Sequence, residues 1–132
     1  MHLRTAILCD FAQVREGLLF VASGGISRVI RPSYPAPASF ALALMLELDA
    51  VEVWEPHEIR VRIMAADEPI GEMTAGFQIN DADLHPGERQ NIPVPVNLHN
   101  VPLPAPGGYS ITISVDDRHV GELAFFAVVA QG

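Results

Sequence analysis

From Tyr109 the odd positions Tyr109, Ile111, Ile113 and Val115 are apolar, while Ser110, Thr112, Ser114 and Asp116 are polar. Period-2 alternation of this kind predicts a strand with one face in a core. Asp116-Asp117-Arg118-His119 supplies turn residues, and Val120 to Val129 is a second run rich in β-branched and aromatic side chains, so the C-terminal end reads as a β-hairpin. With Asp117-Arg118 as the two-residue loop, strict pairing sets Glu122 opposite Ile113 and buries a carboxylate. A bulge at Val120-Gly121 removes the conflict. It moves Leu123, Phe125 and Ala127 opposite Ile113, Ile111 and Tyr109, and glycine tolerates the strained dihedrals some bulges require.

The same reading extends along the chain. Ala6 to Val14 predicts a first strand with Ile7, Cys9 and Phe11 on the inner side and Leu8, Asp10 and Ala12 on the other, Asp10 facing water or a partner. Arg15-Glu16-Gly17 turns it, Leu18 to Ala22 is a second apolar run, and Ser23-Gly24-Gly25 is a turn before Ile26 to Ile30. Arg31 to Pro37 holds three prolines and reads as an extended connection. Phe40 to Asp49 is ambiguous. Leu, Ala, Met and Glu favour helix, but Phe40, Leu42, Leu44, Leu46 and Leu48 alternate five times in succession, and strand is the favoured reading. Glu58 to Ala65 alternates Ile59, Val61, Ile63 and Ala65 against Arg60, Arg62 and Met64, and in Glu72 to Ile79 Met73, Ala75, Phe77 and Ile79 are expected to face in. In Ile92 to Leu98, Pro93 and Pro95 cannot donate ladder bonds, which confines the segment to an edge or a bulge. About eight short strands without a confident helix predict an all-β chain, a single-domain antiparallel β-sandwich over 1–132 with a Greek key as one topology.

Composition narrows the function classes. The 132 residues carry 16 acidic and eight basic side chains, all eight arginine, for a net charge of −8. Such a chain repels phosphate backbones and anionic membranes, so neither nucleic acid nor membrane is an expected partner. Without lysine there is no Schiff-base chemistry and no Walker lysine. Cys9 is the one cysteine, which excludes an intrachain disulfide and fits a cytoplasmic protein. No apolar run approaches the ~18 residues of a membrane span.

The strings Ile7-Leu8-Cys9-Asp10-Phe11-Ala12-Gln13, Gly17-Leu18-Leu19-Phe20-Val21 and Ser23-Gly24-Gly25-Ile26 stand at one end, and a Pro-Gly-x-Tyr-type strand with an Asp-rich turn, Pro106 to Asp117, stands at the other. In these the chain resembles a group of short uncharacterised bacterial proteins, a domain of unknown function. The resemblance implies a small β-rich bacterial protein and brings no activity, cofactor or site residue.

The chemistry-bearing residues are sparse. Asp81, Asp83 and His85 alternate in one loop as weak candidate ligands for a hard or mixed O/N metal site, though Asn80-Asp81-Ala82-Asp83 is also ordinary turn chemistry, and no metal or other cofactor is expected. Cys9 sits among apolar residues and reads as a buried structural thiol. Ser27 lacks a nucleophile elbow. Trp54, the sole tryptophan, is a weak ligand-stacking candidate against a core or rim anchor. Glu47, Glu52, Glu55 and Glu58 read as a solvated acidic rim. No nucleophile, base and orienter can be named together. The expectation is a non-catalytic protein that acts by protein binding or self-association. The alternatives are a carbohydrate- or calcium-binding module and a small enzyme of unrecognised class. With 49% hydrophobic residues, and with Phe125 and Phe126 pointing to opposite sides of one sheet, the outward phenylalanine needs a cover. The Pro-rich connections Arg31 to Pro37 and Val101 to Gly108 could supply it, but a homodimer with Phe126 in its interface is the favoured expectation.

Overall fold

Glu16 and Gly17 have φ of 52° and 75°, and Asp116 and Asp117 have φ of 52° and 63°. Two consecutive residues at positive φ make the type I′ turn, whose twist matches that of the strands it joins. In the computed structural model, which describes residues 1–49, 51–78 and 87–131, these and longer connections link ten strands. They are β1 (His2–Cys9), β2 (Phe11–Arg15), β3 (Leu18–Ala22), β4 (Arg28–Arg31), β5 (Ala36–Leu48), β6 (His57–Ala65), β7 (Glu68–Phe77), β8 (Gln90–Leu103), β9 (Gly107–Val115) and β10 (Arg118–Val129). A sheet ordered β1-β5-β8 faces a sheet ordered β4-β10-β9-β6-β7, and β2 and β3 form a separate hairpin. The result is a β-sandwich-like domain with two more strands than the sequence pattern predicts. The sheets are not antiparallel throughout, because β4 runs parallel to β10. The chain returns to β1 at Gly25 and Ile26, whose N–H groups both donate to the Leu8 carbonyl, and then enters the free edge of β10 in the same direction. Among the described residues no helix is long and apolar enough to cross a membrane.

β5 decides the layering. Leu42, Leu44, Leu46 and Leu48 enter the core between the sheets with Ile59, Val61 and Ile63 of β6, Ile111 and Ile113 of β9, and Phe125 of β10. Ala41 and Ala43 point the other way, into a second cluster with Cys9 and Ala12 that the β2–β3 hairpin covers. A central strand buried on both faces suits its near-continuous apolar run, and that burial overrides the helix propensity of its Leu, Ala and Met residues. The alanines are small enough to let the hairpin lie close, and the Asn97 side-chain amide donates to the Ala12 carbonyl at 3.2 Å. β8 is an edge strand. Pro93 and Pro95 share a parity, so their nitrogens lie on one side, and an edge has a side that needs no donor.

Three local expectations shift. The first strand does not run through Asp10 but breaks there, with the Asp10 N–H turned to the Ala22 carbonyl at 3.0 Å. The break reverses parity, so Ala12 joins Cys9 inside and Phe11 is thrown outward. In β7, Met73 pairs with Val61 and Ala75 with Ile59. They keep the core parity but stay exposed, because five strands facing three leave the edge strand overhanging.

The third shift lies in the closing hairpin, whose loop is Asp116-Asp117, one residue earlier than the pattern suggests. The bulge is at Val120, and Gly121 then pairs with Ile113, Leu123 with Ile111 and Phe125 with Tyr109. The inward set is the expected one, paired two residues nearer the start of β9. Gly121 has no positive φ. Its lack of a side chain matters for space, since a Cβ there would run into Cδ2 of Leu3. Gly121→Val is therefore expected to destabilise the fold by about 1–2 kcal/mol in urea titrations, and Leu3→Ala in the same chain to recover part of the loss. A Gly121→Val protein as stable as wild type would mean that Leu3 swings aside freely.

Candidate functional site

The β2–β3 register sets Phe11 opposite Ala22, Ala12 opposite Val21, Gln13 opposite Phe20, Val14 opposite Leu19 and Arg15 opposite Leu18. Directly opposed residues share a face. Ala12, Val14, Leu19 and Val21 face the alanine cluster, and Phe11, Gln13, Arg15, Leu18, Phe20 and Ala22 face away from the protein. Leu18 is 63% exposed, Phe11 50% and Phe20 48%. Five of the exposed large hydrophobic residues, these three with Val14 and Val21, lie on this one hairpin.

A smaller apolar surface lies on the opposite side of the molecule. Ala127 pairs with Val29 and both are buried, so Phe126, Arg28 and Ile30 face outward from the five-stranded sheet. Phe126 is 58% exposed, its ring lying over Gly108, and Ile30 is exposed beside it. The Arg31 to Pro37 connection does not cover them. It is clasped instead to the strand ends by the Tyr34 hydroxyl, which lies 3.1 Å from the Val29 carbonyl and 2.9 Å from that of Val128. On the same outer sheet face, Arg60 pairs with Glu58, Glu72 and Asp117, and Arg62 pairs with Glu72.

Among the described residues the buried charged or polar side chain is a histidine. His57 opens β6 on the parity of Ile59, Val61 and Ile63, and its side chain is 4% exposed. Nδ1 lies 2.6 Å from Oδ2 of Asp116, and Nε2 lies 2.7 Å from the Glu52 backbone carbonyl. A carboxylate and a carbonyl accept, so the protonated ring, with a donor on each nitrogen, is the form that satisfies both contacts. Asp116 Oδ1 accepts the Glu58 N–H at 2.9 Å. Burial pulls the histidine pKa down, but the bonds to Asp116 and to the Glu52 carbonyl, with the Asp116 charge, outweigh it and hold the pKa above the ordinary value. Burial likewise pushes Asp116 up, and its bonds from His57 and the Glu58 N–H bring it below the usual carboxylate range. The Glu52 carboxylate takes the Met1 ammonium at 2.9 Å. A cavity of about 250 Å³ lies over this group, lined among others by Glu55, Asp116 and Arg118.

The other sequence candidates scatter. Cys9 is fully buried, its Sγ 3.5 Å from the Ala41 carbonyl, and burial pushes the thiol pKa up. Trp54 stands outward from a single 3₁₀ turn, Glu52–Trp54, whose buried residue is Val53, so the tryptophan is not a core anchor. Glu47 is not solvated rim. Arg89 at 2.8 Å and Arg4 clamp its two oxygens, and these hydrogen bonds hold its carboxyl below the usual range. Ser27 is exposed, and its carbonyl receives the Phe126 N–H. Asp81, Asp83 and His85 lie outside the described residues, among which no cluster of three His, Cys, Asp or Glu side chains could hold a metal.

Two features escaped the sequence reading. The alternation points Phe11 inward, because nothing in it marks the break at Asp10. The His57–Asp116 pair spans 59 residues. Its one signal was parity, since a histidine on the apolar side of an alternating strand needs a buried acceptor. No curated protein matches the chain. A family model covers residues 4–128, and the chain belongs to that family of unknown function, DUF6941.

Proposed function

We propose that this protein works by binding rather than by catalysis, as a β-sandwich subunit that associates with itself. One observation carries this reading: of the exposed large apolar side chains, Phe11, Leu18 and Phe20 gather on the outer face of the β2–β3 hairpin and Ile30 and Phe126 adjoin on the five-stranded sheet, while Val51, Trp54 and Met73 stand apart. The state of the two reactive groups supports it. Both ring nitrogens of His57 are engaged, by Asp116 and by the Glu52 carbonyl, and the Cys9 thiol is buried with its pKa pushed up by that burial. Light scattering after size exclusion at micromolar concentration is expected to read a multiple of 14.3 kDa. A mass of one chain overturns the reading.

A further inference from the structure

We propose that the outer face of the β2–β3 hairpin seats a second copy of this chain, the two hairpins lying antiparallel across a two-fold axis. The inference rests on the reading of the chain as self-associating and names the surface and the partner.

Area is the first argument. The chain exposes 7836 Å², whereas a folded monomer of its mass exposes about 6,800 Å². The surplus is of the order of the ~800 Å² that each partner buries in a standard interface. Part of the exposed area lies on the hairpin, a two-stranded layer laid on the outside of the sandwich, where Leu18, Phe11 and Phe20 are 63%, 50% and 48% exposed.

Charge is the second argument. Each copy carries −8, so two copies meet most readily where acid is scarce and far from where it collects. Glu58, Glu72 and Asp117 sit with their arginines on the outer face of the five-stranded sheet, at the opposite side of the molecule from the hairpin. The strands of the hairpin put one charge on its outer face, the cation Arg15, beside the turn in which Glu16 is exposed. Asp10 is exposed at the open end. Docked antiparallel, the turn end of one hairpin lies over the open end of the other, which brings Arg15 to the partner's Asp10 twice, once on each side of the axis. Closure by a two-fold uses the same patch on both copies and leaves no free apolar face to propagate a filament.

Light scattering of the full chain at micromolar concentration is expected to give twice 14.3 kDa. Leu18→Glu and Phe20→Glu, on outward side chains that circular dichroism should show folded, are expected to give single chains. Arg15→Asp is expected to weaken the dimer about tenfold by setting like charges against each other, and Arg15→Asp with Asp10→Arg to restore it. A dimer that survives both glutamate variants but dissociates with Phe126→Glu overturns the hairpin assignment and leaves self-association standing. A weakened dimer that the double swap does not rescue overturns the antiparallel arrangement. A wild-type mass of 14.3 kDa overturns both the assignment and the reading beneath it.

Discussion

Phe125→Ala is expected to cost about 3–5 kcal/mol of folding stability, and Phe126→Ala, one residue on, less than about 0.5 kcal/mol in the unassociated chain. Phe125 is 1% exposed. Its ring stacks on Tyr109 at 5.3 Å between centroids and meets Phe40 edge-on at 5.5 Å. Truncation therefore opens a cavity between the two sheets and removes two aromatic contacts, each worth about 1 kcal/mol beyond area burial. Phe126 has its ring over Gly108 and otherwise faces out, so its loss opens no void. Urea midpoints at equal slope separate the two variants, and the thermal midpoint of Phe125→Ala should fall by 10 °C or more. The comparison also tests the bulge at Val120. A register one residue off exchanges the two side chains between core and surface, and the large loss would then appear in Phe126→Ala.

The closing hairpin shows how far alternation carries an inference. The inward set of β9 and β10 was legible because burying Glu122 is costly and one extra residue avoids it. Two things were not. The turn could fall on Asp116-Asp117 or Asp117-Arg118, since both pairs are polar and only backbone φ distinguishes them. The reason for Gly121 lay in Leu3, 118 positions earlier, and no local pattern reports such a contact. β5 was legible as a strand because five alternating large side chains outweigh propensity. That its alanines also face a protein surface was hidden, because small apolar residues fit a solvent face and a covered one equally well. The outward apolar hairpin was therefore missed at its root. Without a layer to cover Ala41 and Ala43, the first strand needed no break at Asp10, and Phe11 was assigned to the wrong side. Phe126 was placed outside correctly, since adjacent residues in a strand point to opposite faces and Phe125 fits the core parity.

The His57 pair is expected to make stability fall as pH rises from about 6 to the alkaline side, an effect that His57→Phe removes. A histidine whose folded pKa is raised stabilises the protein fully below its unfolded value near 6.5. That contribution declines above 6.5 and is gone once pH passes the raised folded value. Asp116 acts in the opposite sense. Its folded pKa is lowered, so its contribution is present above the unfolded value of 3.8 and is lost as pH falls through the depressed value. The pair is thus at full strength between about pH 4 and 6.5. In that window Asp116→Ala leaves a cation under Glu52 and Phe77 with one acceptor in place of two, and is expected to cost about 2 kcal/mol. The figure lies below that of a fully buried pair because the Asp116 side chain is 43% exposed and water screens it. His57→Phe keeps the ring's volume beside Phe77, whose centroid lies 5.4 Å away, and removes the titration. Urea titrations at pH 5, 7 and 9 decide the matter, since the remaining histidines are common to both proteins and cancel in the difference. Wild type should exceed His57→Phe by less at pH 9 than at pH 5. A difference that does not change with pH would mean that the ring is neutral, and one of its two short contacts would then have to open.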